Sequence, residues 1–282
     1  MEFIKIKSYA KINISLNIIK KLSSNFHKIE SLITFINLYD LIFIKPIKTK
    51  KHKVQFKGRY CDDINENNTV NRLLKILDKK NFLKGKKFYI KVNKNIPQKS
   101  GMGGGSMNAA ALIGFFLKKK IIKNNNKELR SIANKIGSDV ILGINPKNTI
   151  LLSSGKLKKF NKKFNFNVLI TKPNFGCSTK KIYSRVRHYS KPQYNKPIQS
   201  ILRRQNIIDS SNALEEIAFK KYPKLNRIKV FLSNLKNVIF VRMTGSGSSI
   251  VAYFHSKKDV DIASKEFKKK FNDYWFVKSK TI

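Results

Sequence analysis

The feature that most constrains this chain is a run of four glycines within five positions, Gly101-Met102-Gly103-Gly104-Gly105, in a chain with only 13 glycines. Before it, Phe88-Tyr89-Ile90-Lys91-Val92 has the bulky residues of a strand. After it, Ser106 to Leu117 is rich in Ala, Leu and Phe, has no proline, and predicts a mostly buried helix. Lys118, Lys119 and Lys120 follow, where cations suit a helix C-terminus. Strand, glycine loop and helix together make an anion cradle. Glycines let backbone N–H groups approach a ligand closely, and the first helical turn adds unpaired donors and partial positive charge. Two common phosphate loops are excluded by spelling. A P-loop ends in Gly-Lys-Ser/Thr, and here the residues are Gly105-Ser106-Met107. The dinucleotide fingerprint places a third glycine three positions after its second, and three positions after Gly103 stands Ser106.

A chain of 282 residues, 41% of them hydrophobic, suffices for one large domain or two ordinary ones. No stretch approaches ~20 uninterrupted apolar residues, so no membrane span is expected. The first seven residues alternate at once and lack a signal-peptide core. Cys61 and Cys177 are too few for a disulfide framework or a zinc site. A cytoplasmic protein with no membrane partner is therefore expected. Sixty Lys and Arg against 16 Asp and Glu give a net charge of +44. The lysines are scattered along the whole chain, with no aromatic RNA-binding signature and no zinc spacing. This reads as a compositional bias towards Lys, Asn and Ile, with no specific nucleic-acid partner. The excess still attracts anionic ligands.

From Ile4 to Ile18 apolar and polar residues alternate, predicting a half-buried strand with Lys11 and Asn13 on its polar, solvated face. Ser23-Ser24-Asn25 is a turn signal, and Phe26-His27 follows it. Ile29 to Ile44 reads as strands broken near Asn37–Asp40, and Lys45 to Arg59 as an exposed strand pair. Val70 to Leu77 is a short helix capped from its polar start. Glu128 to Ile136 is another, ended by Gly137, with Asp139 beyond it as a turn or cap aspartate. A second domain is expected to start near Gly155. It contains strands at Phe166–Ile170, Val238–Met243, Ile250–Phe254 and Tyr274–Lys278, and helices starting at Ser178, Ser211 and Asp259.

Five segments in this order resemble the GHMP small-molecule kinase superfamily. They are Ser8-Tyr9-Ala10-Lys11-Ile12-Asn13, Phe26-His27, the loop from Pro97 to Ala110, Ile136-Gly137-Ser138-Asp139-Val140, and Met243-Thr244-Gly245-Ser246-Gly247. Within the superfamily they are most similar to the 4-diphosphocytidyl-2-C-methyl-D-erythritol kinases. The resemblance implies an α+β, two-domain fold. Residues 1–155 would form a ribosomal-protein-S5-like ATP-binding domain, and residues 156–282 a ferredoxin-like domain, with the active site in the cleft between them. It implies ATP-dependent phosphorylation of the 2-hydroxyl of a small substrate carrying a cytidine diphosphate group, in non-mevalonate isoprenoid biosynthesis, by a monomer or weak homodimer.

The resemblance also assigns residues. Asp139 would orient or deprotonate the acceptor hydroxyl, and Lys11 would stabilise charge beside it. Pro97, Gly101, Met102, Gly103, Gly104, Gly105, Ser106 and Asn108 would hold ATP. Mg²⁺ is expected with the nucleotide, and Ser106 is the candidate metal ligand. Asn13, Phe26, His27, Tyr183, Thr244, Gly245, Ser246 and Gly247 would contact substrate, with His27 reading the cytosine edge and Phe26 and Tyr183 stacking on the ring. Met107 departs from the family's usual Ser or Asp, and is expected to remove a polar group beside the phosphates. Ala213 departs in losing a carboxylate, and Phe26 in replacing a commoner Tyr. Two other readings stay open: a homoserine- or mevalonate-type GHMP kinase, and a non-enzymatic RNA-binding protein.

Overall fold

The computed structural model describes residues 2–23, 26–62, 64–123, 125–195 and 198–282. Ser24 and Asn25 of the expected turn lie outside them. The first half of the chain runs β1 (Ile4–Asn13), β2 (Asn17–Lys21), β3 (His27–Ile47), β4 (Lys53–Lys57), α1 (Thr69–Lys79), β5 (Lys87–Asn93), α2 (Gly104–Lys118), α3 (Asn126–Ile136) and α4 (Val140–Gly143). The second half runs β6 (Asn148–Leu151), β7 (Leu157–Phe160), β8 (Asn167–Lys172), α5 (Thr179–Tyr183), α6 (Ile198–Ile201), α7 (Arg204–Asp209), α8 (Glu215–Lys221), α9 (Pro223–Ser233), β9 (Phe240–Met243), β10 (Ile250–Phe254), α10 (Lys257–Lys270) and β11 (Trp275–Lys280).

The chain folds into two compact α+β units that interleave in sequence. One comprises Met1–Lys11, Leu38–Gln98 and Gly103–Pro146; the other comprises Ile12–Asn37, Lys99–Met102 and Lys147–Ile282. Strands β1 and β3 run from one unit into the other, so contacts do not divide the chain at residue 155.

In the first unit, β5 pairs antiparallel with β3 from Leu41↔Asn93 to Ile47↔Lys87, and parallel with β4 from Lys53↔Tyr89 to Lys57↔Asn93. The expected strand pair over Lys45–Arg59 does not form. β5 occupies the edge of β3, and β4 reaches the far side of β5 through the α1 crossover that a parallel pair requires. Alternate residues Ile42, Ile44, Phe88, Ile90 and Val92 face a core completed by Leu73 and Leu77 of α1, Leu112 and Phe116 of α2, and Ile132 of α3. Helix α2 is apolar on most faces because α1, α3 and α4 all pack on it. Asn68 caps α1, its side chain accepting from the N–H groups of Val70 (3.1 Å) and Asn71 (2.9 Å).

Strand β3 runs unbroken for 21 residues, without the break expected at Asn37–Asp40. Asp40 is fully buried within it. Its carboxylate pairs with the Lys94 ammonium and accepts from the N–H groups of Asn95 (2.7 Å) and Ile96 (2.9 Å). A buried charge so satisfied costs the strand little.

In the second unit, β11-β8-β10-β9 form an antiparallel sheet, with Ile170 of β8 opposite both Val251 and Val277. One face of it, including Leu169, Ala252 and Phe254, packs with Leu225, Ile228 and Leu232 of α9 and Phe267 of α10. Strand β6 pairs with the early part of β3, and β7 with β6. The helix expected from Ser211 starts only at Glu215. Asn212 is used otherwise: its amide donates to the carbonyls of Met243 and Gly245 (both 2.8 Å) and its oxygen accepts from Leu214 N–H (3.0 Å).

Asn212→Ala leaves two carbonyls and an N–H without those partners. The expected loss of stability is about 2–4 kcal/mol, read by urea denaturation; a loss within about 0.5 kcal/mol would show the latch to be unimportant.

Candidate functional site

The glycine run is shared between the units: Lys99–Met102 belongs to one and Gly103 onward to the other. In the first unit, α2 begins on Gly103, whose backbone lies in the left-handed region (φ 69°). A glycine cannot cap a helix with a side chain, so the first-turn N–H donors are left for an anion. A Cβ at Gly103 would stand 3.2 Å from Lys11 Cε and 3.5 Å from Asp139 Oδ2. The glycine therefore lets the lysine stem and the carboxylate close against the loop. Lys11 Nζ lies 3.3 Å from Asp139 Oδ2. Lys11 is buried, not on a solvated face as the alternation of β1 predicts. Asp139 precedes α4 without capping it with its side chain, and that side chain keeps 36% of its exposure. Its carboxylate can therefore meet a ligand while paired. Gly137 ends α3 in extended backbone (φ 171°), and a Cβ there would stand 3.3 Å from Ser106 Oγ. The Ser106 hydroxyl thus lies close to the segment carrying Asp139.

Two features here were not anticipated from sequence. Thr69 Oγ1 donates to the Gly105 carbonyl (2.6 Å), tying the start of α1 to that of α2. The Lys94 ammonium, paired with Asp40, lies 3.4 Å from where a Gly104 Cβ would be. A cation is thus held beneath the loop, beside the positive end of α2. Three of the expected ATP residues, Pro97, Met102 and Asn108, are buried. Met107 is buried as well, its Sδ only 2.7 Å from a Cβ built on Gly143. It packs against α4, so the expected loss of a polar group beside the phosphates is replaced by a packing role.

In the second unit, the Thr244–Gly247 segment, expected to contact substrate, is buried throughout. Its neighbour is the glycine run. Ser248 N–H donates to the Lys99 carbonyl (3.4 Å), Ser249 N–H to that of Ser100 (3.2 Å), and Thr244 Oγ1 to that of Gly101 (3.4 Å). A Cβ on Gly101 would overlap the Thr244 carbonyl oxygen. Ser246 hydrogen-bonds Thr179 (2.8 Å). Asn13 is also buried. Its N–H donates to Thr244 Oγ1 (3.0 Å) and its amide to Ser31 Oγ (2.7 Å). These residues brace the entry to the loop.

His27 sits between Tyr183, at 5.2 Å between ring centroids, and Tyr189, stacked at 6.4 Å. Both its ring nitrogens are enclosed, with no hydrogen-bond partner among the described residues. Phe26 is 69% exposed. Tyr189 had no signal in the sequence, because the loop carrying it is held by distant partners. Ser190 N–H donates to the Ile18 carbonyl (2.7 Å), and the fully buried Glu30 accepts from Gln193 N–H (2.8 Å) and Tyr194 N–H (3.2 Å).

Family models for the GHMP kinases N terminal domain and the GHMP kinases C terminal match residues 68–146 and 198–273. The chain belongs to the GHMP kinases. Over 282 residues, 100% of each chain, this GHMP kinase is 56% identical to the 4-diphosphocytidyl-2-C-methyl-D-erythritol kinase of Pelagibacter ubique (strain HTCC1062). Over 290 residues, 99% of this chain and 96% of the relative, it is 33% identical to the enzyme of the same name in Clostridioides difficile (strain 630). Its fold is like that of a crystal structure of 4-(cytidine 5'-diphospho)-2C-methyl-D-erythritol kinase, with a TM-score of 0.79 at 20% identity, covering 98% and 99% of the two chains. It is also like homoserine kinase from Cytophaga hutchinsonii, at 0.71 and 15%, covering 100% and 95%. It is an ATP-dependent small-molecule kinase. Among the described residues no helix is long and apolar enough to cross a membrane.

Met107→Ser is expected to cost about 2–4 kcal/mol of stability while leaving the KM for ATP within about twofold. Denaturation and initial rates read the two effects; a changed KM at unchanged stability would return Met107 to the phosphates. His27 gives a pH prediction. Burial first, and the charge of Lys21 second, hold its imidazole below its ordinary value of 6.5. The folded state then binds fewer protons than the unfolded one in the window beneath 6.5. The resulting stability is present above that pH and is lost as pH falls through the folded value. His27→Gln should therefore reduce the loss of stability between pH 7.5 and 5.5, compared by urea titration; an unchanged loss would contradict this.

Proposed function

We propose that this GHMP kinase transfers the γ-phosphoryl group of ATP to the 2-hydroxyl of 4-diphosphocytidyl-2-C-methyl-D-erythritol, a step of non-mevalonate isoprenoid biosynthesis. The observation that carries the reading is the Lys11–Asp139 pair, 3.3 Å apart against Gly103 at the start of α2. The cytidine-linked substrate is taken from the full-length relatives, at 56% and 33% identity, that carry that name.

Phosphoryl transfer requires positioned groups and positive charge more than covalent chemistry from the protein. The first-turn donors of α2 hold the nucleotide phosphates, and the Lys94 ammonium beneath Gly104 adds charge to the cradle. Asp139 accepts the proton of the acceptor hydroxyl as its oxygen bonds to the γ-phosphorus and the bond to the ADP oxygen breaks. Lys11, paired with that carboxylate at 3.3 Å, holds it in place and offsets negative charge on the group in transfer. Among the described residues no group of three or more His, Cys, Asp or Glu side chains could hold a metal. That donor set fits a Mg²⁺ bound chiefly by the nucleotide, which the Ser106 hydroxyl would help to hold and which would neutralise phosphate charge. His27, neutral at pH 7, reads the cytosine edge, and Tyr183 and Tyr189 offer ring faces for stacking. The protein acts in the cytoplasm, with Cys61 and Cys177 free, as a monomer or weak homodimer.

Asp139→Asn should lower kcat by about 10²–10⁴ with KM values little changed. His27→Ala should raise the KM for the cytidine substrate about tenfold or more while leaving the KM for ATP unchanged. Initial-rate measurements of ADP release test both. An unchanged kcat in the first variant removes the assigned role of Asp139. An equal effect on both KM values in the second removes that of His27.

A further inference from the structure

The outer face of the first unit's sheet is unlike an ordinary solvated surface. The core-facing positions of β3 and β5 are apolar, and at the centre of the opposite face aromatic residues and lysines face one another across the strands. Register places Lys45 opposite Tyr89, Phe43 opposite Lys91, and Lys53 on the other flank of Tyr89. The Phe3 ring, from just before β1, lies 5.5 Å from Tyr89 and 6.4 Å from Phe43. Four ammonium groups overlie these rings, that of Lys5 at 5.9 Å from the Phe43 centroid. Lys45 is 4.9 Å and Lys91 4.7 Å from the Phe3 centroid, and Lys53 is 4.8 Å from that of Tyr89. The strand segments 41–47, 53–57 and 87–93 contain neither Asp nor Glu.

Cations crowded in this way repel one another, and ring quadrupoles offset only part of that cost. A polyanion would offset the rest. The rings lie half-buried on a sheet instead of protruding. They are thus poorly placed to insert into a lipid surface and well placed to stack flat groups. Aromatic rings on a sheet, interleaved with lysines, suit an unpaired polynucleotide: its phosphates draw the ammonium groups off the rings and its bases take the ring faces, without sequence preference. We propose that this face, centred on Phe3 and Tyr89, binds a short stretch of single-stranded polynucleotide. The scatter of lysines along the sequence concealed the patch, because sheet pairing and not chain proximity assembles it. The inference is independent of the substrate assignment above.

The test is fluorescence anisotropy of a labelled twelve-nucleotide oligouridylate with the full chain at physiological salt, alongside three variants. The first carries Lys45→Glu, Lys53→Glu and Lys91→Glu on the face. The second carries Phe3→Leu and Tyr89→Leu, which keep apolar bulk but remove the rings. The third carries Lys268→Glu, Lys269→Glu and Lys270→Glu at the exposed end of α10, the same charge change elsewhere. The face variant should weaken binding more than tenfold, the ring variant about 5- to 100-fold, and the remote variant less than about threefold. Equal weakening by the face and remote variants would overturn the proposal, leaving attraction by net charge alone. So would an unchanged affinity in a ring variant of wild-type melting temperature. If the ring variant melts early, the two lysine variants decide the matter. Binding to phosphatidylserine vesicles that depends on the face lysines, at salt where the oligonucleotide does not bind, would also overturn it.

Discussion

A helix that begins on a left-handed glycine has no side chain to satisfy its first donors, and the rest of the first unit is arranged around that omission. Gly103 supplies both the backbone conformation and the vacant Cβ position into which Lys11 and Asp139 close. Gly104 supplies the space over the Lys94 ammonium. Uncapped donors, a helix dipole and two buried or half-buried cations would destabilise one another without an anion. Asp139 and Asp40 each neutralise one cation, and the first turn of α2 has no side-chain cap. Asp40 and Lys94 are two of the reasons β3 runs unbroken through a polar position, so the architecture of the sheet and the charge of the cradle share one buried pair.

The second unit works by bracing. The Thr244–Gly247 segment looks in sequence like a second ligand loop. In the fold the Thr244 hydroxyl meets Gly101 and Asn13, the Gly245 carbonyl meets Asn212, and the Ser246 hydroxyl meets Thr179. Small residues are needed there because backbones approach closely, which is a packing requirement with a functional result. The same applies to Met107, whose thioether fills the space left by Gly143.

Local signals were legible and assembled ones were not. The strand–loop–helix at Phe88–Leu117, the Asn68 cap and the strand at Ile250–Phe254 follow from propensity, capping and glycine spacing within short windows. Alternation along β1 correctly put Lys11 and Asn13 on one face. It could not say that other parts of the chain bury that face. Gly137 ends α3 as its position suggested, in extended backbone. The Tyr189 loop is set by Glu30 and Ile18, about 160 residues earlier. Helix α9 carried a readable sign, Pro223 in its first turn, that propensity reading passed over. The five ordered motifs made the family legible where single residues were ambiguous, because their order along the chain constrains the reading more than any one of them does.

The central claim is that the Lys11–Asp139 pair at the glycine loop serves phosphoryl transfer to a cytidine-linked alcohol. The most direct measurement is phosphorus NMR of the wild-type protein with ATP, Mg²⁺ and 4-diphosphocytidyl-2-C-methyl-D-erythritol, with homoserine and mevalonate in parallel samples. The account predicts a new phosphomonoester signal with the cytidine compound, matched by ADP, and none with the other two alcohols. No new signal from fully folded protein, or transfer to homoserine or mevalonate in its place, would contradict it.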